Sequence, residues 1–169
     1  MYSEQEYINW MFRIVLATLC GCVIGYERTS RNKSADIRTH AIIALGSSMF
    51  MIIFKYAFFD VSTADGARVA AQIVSGIGFL GAGVIFVKDD LIQGLTTAAG
   101  MWTTSGIAAC IGAGLIFIGV FATLFLVVLQ KIFHYPFFNQ IDHPNVLIQT
   151  NIVSDKDEIY KIFEKYGIE

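Results

Sequence analysis

Apolar residues come in long blocks separated by short polar loops. From Leu91 to Gln130 there is no Asp, Glu, Lys or Arg for 40 residues, and Val69 to Val87 adds another 19. Uncharged apolar runs of about 18 residues or more read as membrane-spanning helices. Five spans are expected. The first covers about Tyr7 to Tyr26 and is interrupted by Arg13; the second covers about Thr39 to Phe59, with Lys55 near its end; the third covers about Ala67 to Val87. The long uncharged run exceeds one span and divides at Gly112-Ala113-Gly114, a natural turn. It supplies a fourth span of about Leu95 to Ile111 and a fifth of about Leu115 to Phe133. The expected fold class is an all-α transmembrane bundle, residues 1–133.

Orientation follows from the basic residues of the loops. The first loop holds Arg28, Arg31, Lys33 and Arg38, the third holds Lys88, and the fifth span exits at Lys131. The second and fourth loops hold no Lys or Arg. Basic residues thus alternate sides, which places the N-terminus outside and the C-terminus in the cytoplasm of a multi-pass protein. Beyond a linker at 134–145 the pattern changes. Val146 to Val153 reads as a strand, and Ser154 with Asp157 opens a helix carrying Ile159, Ile162, Phe163 and Tyr166 at helical spacing. One strand and one helix cannot bury a core alone, so the tail at 146–169 is expected to dock or to belong to a larger domain.

Composition narrows the class. Of 169 residues 55% are hydrophobic and 15% charged, against about 25% charged in soluble domains. That excludes an ordinary water-soluble enzyme, a disordered regulator and a disulfide-built module. A net charge of −2 gives no reason to expect a nucleic-acid partner. Glu4 and Glu6 precede the first span with no basic residue, unlike a secretory signal. Cys20, Cys22 and Cys110 lie inside apolar spans and read as small packing residues.

Small residues mark close helix contacts in lipid. The first span sets Ala17, Gly21 and Gly25 at intervals of four; the third carries Gly76, Gly78, Gly81 and Gly83; the fourth aligns Ala98, Ser105, Ala109 and Gly112. Spans one, three and four are expected to pack together, with Trp102 joining the packing and the fifth span facing lipid. The glycines of the third span also fit an unwound, site-lining segment, as in broken transporter helices.

Polar residues inside spans are functional candidates by default. An outer network is expected from Asp65, Arg68, Gln72, Ser75 and Arg13, with Lys55 and Asp60 at its rim; Arg13 and Lys55 also fit a snorkelling role. An inner cluster is expected from Glu27, Arg28, Arg38, Thr39, His40, Thr96 and Thr97. Its two helix starts can meet an anion, and the neighbouring Asp89-Asp90 can help hold a hydrated divalent cation. No nucleophile–base pair, Walker loop or zinc spacing occurs, so neither an enzyme, a cofactor nor a protein-held metal is expected.

Three stretches then converge. They are Gly25-Tyr26-Glu27-Arg28 with Lys33 and Arg38-Thr39-His40; Asp65 to Gly83, reading DGARVAAQIVSGIGFLGAG; and Gly94 to Ala99 with Trp102. On these the chain resembles the MgtC/SapB family of bacterial inner-membrane proteins over about residues 13–130. Asp36 departs from the glycine expected before the Arg-Thr-His stretch. The resemblance implies a five-span domain linked to magnesium homeostasis, growth at low magnesium and virulence through survival inside phagocytes. It implies regulation of other membrane machinery, including a proton-driven ATP synthase, and a tail resembling the first third of an ACT domain. Two functions stay open: a homodimeric regulator acting by contacts in the bilayer, and a small ion channel or transporter for magnesium or phosphate. A lipid-organising role of the basic first loop is a third.

Overall fold

A computed structural model describes residues 2–30, 35–57, 66–88 and 91–132. The linker, the tail, Asp60, Asp65, Arg31, Lys33 and the Asp89-Asp90 pair lie outside the described residues. The protein is mostly helical, with one small strand pair among the described residues.

Helix α1 runs Glu4–Thr29. Ser3 starts it with a capping box: its backbone N–H donates to Glu6 Oε2 at 2.7 Å, and Glu6 N–H donates back to Ser3 Oγ at 3.4 Å. Helix α2 runs Ile37–Ala57. Asp36 begins it by accepting from the Thr39 backbone N–H at 2.9 Å and the Thr39 hydroxyl at 3.0 Å. The Ile37 N–H donates to Thr29 Oγ1 at 3.1 Å, tying the end of α1 to the start of α2. Both helices are long and apolar enough to cross a membrane.

Helix α3 runs Gly66–Gly83, shorter than the span expected to reach Val87. In place of its last turn, strand β1, Phe86–Lys88, pairs antiparallel with β2, Leu91–Gln93, Val87 facing Ile92. The cause is local. Val84 to Val87 is apolar, β-branched and aromatic, which suits a short strand as well as a buried helix. Gly94 then turns the chain at φ +90°, where a Cβ would collide with the Val84 carbonyl oxygen. Helix α4, Leu95–Ala113, ends at the expected corner: Gly114 adopts φ +100° and its N–H donates to the Cys110 and Ile111 carbonyls. Helix α5, Ile116–Ile132, is a shorter apolar helix.

One core gathers Ala17, Cys20 and Ile24 of α1, Ala44 of α2, and Ile107, Ala108 and Ile111 of α4, with Val120 and Leu126 of α5 against it. A second joins Ile43 and Met101 to Ile77 of α3. Of the expected grouping of spans one, three and four, α4 does pack on both α1 and α3, but the expectation left out α2. Helix α1 packs chiefly on α2, and α3 lies against α4 and α2. Gly21 and Gly25 explain the first contact: Cβ atoms there would stand 2.6 Å from the His40 carbonyl oxygen and 2.6 Å from Ile37 Cα. On the fourth helix, Gly112 meets the Ser48 backbone, and Ser105 Oγ is 3.0 Å from Ser47 Oγ. Cβ atoms at Gly76, Gly78 and Gly83 of α3 would meet nothing within 4 Å among the described residues, and only Gly81 meets a neighbour, Ala98. Trp102 is also exposed rather than packed within the chain.

The exterior is apolar. Ile8, Met11, Val15, Leu19 and Val23 form an exposed row on α1, and Phe117 on α5 is 91% exposed. Large apolar exteriors of this kind suit lipid contact. Only Gly119 and Thr123 of α5 are buried, as fits a peripheral helix.

Candidate functional site

The bundle has polar side chains at both ends, and the two sets differ in burial. At one end α1 and α5 finish while α2 and α4 start. Glu27, Arg28, His40 and Thr97 are all buried there. Each is placed by its helix: Glu27 and Arg28 by the last turn of α1, His40 by the first turn of α2, and Thr97 by the first turn of α4. Arg28 Nη2 donates to Thr97 Oγ1 at 2.9 Å, joining α1 to α4. His40 Nδ1 lies 3.0 Å from the Asp36 carbonyl oxygen. A carbonyl only accepts, so Nδ1 carries the hydrogen of that bond.

The structure therefore brings together four of the seven residues of the expected inner cluster. Arg38 and Thr96 are exposed instead, and Thr39 serves the Asp36 cap. The expected anion site at the start of α2 is filled by the chain's own carboxylate. Asp36 is the residue that departed from the glycine pattern. The Thr39 backbone N–H, then its hydroxyl, hold the Asp36 carboxyl below the usual carboxylate range, with Arg38 adding to the effect. Gln130, near the end of α5, was not anticipated. Its side-chain Nε2 lies 3.9 Å from where a Gly100 Cβ would stand, and His40 Nε2 lies 3.7 Å from the same point. The available signal was its place as the one amide in the fifth span. Among the described residues no three His, Cys, Asp or Glu side chains gather into a metal-sized group.

Among the described residues the expected outer network does not form as one unit. Arg13 joins α1 to the far end of α4: it donates to Asn9 Oδ1 at 3.1 Å, to the Tyr56 hydroxyl at 2.9 Å and to the Gly112 carbonyl at 3.4 Å. Lys55 Nζ donates to the Ala113 carbonyl at 2.6 Å. Two cations thus sit on the last carbonyls of α4, the negative end of its dipole. The Arg13 guanidinium carbon also lies 5.8 Å from the Tyr56 ring centroid, and Lys55 Nζ 5.6 Å from it. Tyr2 and Trp10 pack at the same ring, Tyr7 packs on both of them, and the Tyr2 hydroxyl donates to the Tyr56 carbonyl. Arg68, Gln72 and Ser75 lie apart from this set, on exposed positions of α3.

Between α2 and α3 an open apolar cleft of about 530 Å³ is lined by Ile42, Phe50, Ile73, Ile77 and Leu80, with Ser47 and Gln72 as its polar members.

Known proteins share this sequence pattern. The MgtC family model matches residues 14–135. YhiD of Escherichia coli K12, whose given name proposes a magnesium transporter, is 39% identical over 151 residues, covering 86% of this chain and 70% of that protein. MgtC of Brucella abortus is 41% identical over 116 residues, covering 69% of this chain and 48% of that protein. SapB of Bacillus subtilis is 34% identical over 166 residues, covering 92% and 71%. No solved structure gives a significant match. The matched span contains the whole inner cluster and all five helices bar the first turns of α1, and the chain belongs to the MgtC family.

Proposed function

We propose that this chain is a multi-pass protein of the bacterial inner membrane that acts by helix contacts on other membrane machinery, in adaptation to low magnesium and to life inside host cells. All five helices cross the bilayer in this reading, with the N-terminus outside, residues 134–145 a linker and 146–169 a partial ACT-like tail. The Tyr2, Tyr7, Trp10 and Tyr56 cluster fits an interfacial aromatic belt at that end of the bundle, and the orientation itself rests on the basic residues of the loops. A homodimer and a proton-driven ATP synthase are the partners the resemblance brings forward.

One observation carries the regulatory reading. Gly21 and Gly25 of α1 and Gly112 of α4 are closely packed within the chain, while three glycines of α3, Gly76, Gly78 and Gly83, and a single one of α4, Gly106, face no neighbour among the described residues. Small residues open on a lipid-facing helix suit a second helix from elsewhere. Phe79 stands beside them, 82% exposed. A photo-crosslinking residue at position 79 should capture partner proteins in native membranes. The same probe at Phe117 should capture far less, and Gly78→Leu should abolish capture at 79 while the bundle stays folded. Equal capture from both positions, or capture indifferent to Gly78→Leu, would refute the reading.

The second reading, a channel or transporter for magnesium or phosphate, draws on the name of the Escherichia coli relative and on the cleft between α2 and α3. The almost wholly apolar lining weighs against ion passage there, because a charged species needs polar replacements for its water. Purified protein in liposomes that moves either ion would favour transport and defeat the contact-only regulator.

A further inference from the structure

His40 and Gln130 each carry, in the bundle interior, a buried acceptor with no hydrogen-bond partner among the described residues. His40 is 0% exposed, and its Nε2 is buried with no hydrogen-bond partner there. Gln130 Oε1 is buried in the same condition. They belong to different helices, yet both side chains reach the face of Gly100 in α4, His40 through Nε2 and Gln130 through its amide nitrogen. Buried polar groups of this kind are paired as a rule, with protein or with ordered water. His40 has one hydrogen committed already, from Nδ1 to the Asp36 carbonyl. In the neutral ring Nε2 is therefore a bare lone pair.

Gly100 supplies the room. A Cβ at this position would stand 3.7 Å from His40 Nε2 and 3.9 Å from the Gln130 amide nitrogen, and would touch nothing else within 4 Å among the described residues. These are ordinary contact distances, so no backbone or apolar neighbour requires glycine at this position. Its φ is helical, so the backbone does not require it either. What glycine leaves is space about one methyl group wide, with an imidazole nitrogen and an amide at its edge. A water molecule needs about that much room and two or more polar partners.

The geometry points to a buried water-binding site at Gly100, in which a water donates a hydrogen to His40 Nε2 and accepts one from the Gln130 side-chain amide nitrogen. The class of ligand follows from the partners: an acceptor and a donor side by side select a small neutral species that both donates and accepts. The water ties α2 to α5 across α4, at the end of the bundle where Arg28 and Thr97 tie α1 to α4. Such a site serves a regulator and a transporter alike, since it lies in the bundle interior rather than on the exposed face of α3.

The test uses the full chain in lipid nanodiscs, with two readouts. In ¹⁵N-histidine NMR, His40 should show a hydrogen-bearing Nδ1 and a hydrogen-free Nε2 that receives magnetisation from water. An Nε2 that itself carries hydrogen, or one that receives no transfer from water, overturns the proposal. The second readout is thermal stability. Alanine is a better helix former than glycine and meets no clash at this site, so over unoccupied space Gly100→Ala would raise the melting temperature. With water held there, the methyl displaces it and leaves His40 Nε2 without a donor, and the melting temperature should fall by roughly 5 °C. In a Gln130→Leu background the same substitution should cost less, because one of the water's two partners is already gone. A rise in the otherwise unaltered chain, or the same fall in both backgrounds, overturns the proposal.

Discussion

Gly21→Ala tests the central contact of the bundle. A Cβ at position 21 would stand 2.6 Å from the His40 carbonyl oxygen and 2.7 Å from Ala44 Cβ. Carbon pairs are at their best near 3.5–4.0 Å, so the methyl is short of room by about 1 Å. One of the two obstacles is backbone, which cannot swing aside as a long side chain does. Helices α1 and α2 must therefore part by roughly an ångström over the turn that carries Ala17, Cys20 and Ala44 of the core. Overpacking of this kind costs about 1–3 kcal/mol. Alanine returns up to about 1 kcal/mol in helix propensity, which leaves a net loss of up to about 2 kcal/mol. In lipid the loss is not recovered by hydrophobic burial elsewhere, because packing itself drives association there. The control is Gly78→Ala, where nothing lies within 4 Å among the described residues and only the propensity gain remains. Reversible unfolding in mixed lipid–detergent micelles, titrated with a denaturing detergent, reads both. Gly21→Ala should move the midpoint down and Gly78→Ala should leave it level or raise it. Equal shifts, or a more stable Gly21→Ala, would show that α1 and α2 do not approach through this glycine.

Three further predictions use the same unfolding measurement. Thr97→Val removes the acceptor that Arg28 Nη2 uses inside the bundle and should cost about 1–3 kcal/mol, while Thr97→Ser keeps the hydroxyl and most of the stability. Arg13→Met should cost about 1–2 kcal/mol through its lost bonds to Asn9, Tyr56 and Gly112; Lys55→Met, at an exposed position, should cost less. Asp36 has a carboxyl held below its ordinary value of 3.8. A depressed pKa adds stability that is present above the unfolded value and is lost as pH falls through the lower folded value. The protein should thus lose stability below about pH 4, Asp36→Ala should remove that part of the acid dependence, and an unaltered acid limb in the variant would refute the cap.

The helices were legible because a charge-free apolar run of span length has few other readings, and the Gly112–Gly114 corner because Gly114 takes a φ that favours glycine. The end of α3 was not, since Val84 to Val87 is as apolar as the helix before it and hydropathy does not separate a buried strand from a helical turn. The inner cluster was readable from polar residues at span ends, which membrane depth gathers at one level. Depth alone fails for Arg13. It shares a level with Arg68 and Gln72 in the expected topology, but level fixes height and not direction around the bundle, and Arg13 turns to Tyr56 and the end of α4. The same limit governs the glycines. A pattern in sequence shows which face of a helix is small, not what approaches it. The row on α1 is filled by the start of α2, where the Ile37 Cα and the His40 carbonyl occupy the room a side chain would need. The row on α3 is denser in sequence and, among the described residues, open in space at Gly76, Gly78 and Gly83. Glycine weakens a helix unless close approach compensates, and α3 carries that weakness with little close approach from the rest of the described chain. A second helix packed on that face would supply the missing compensation, and that is the physical ground for seeking the protein's function at α3.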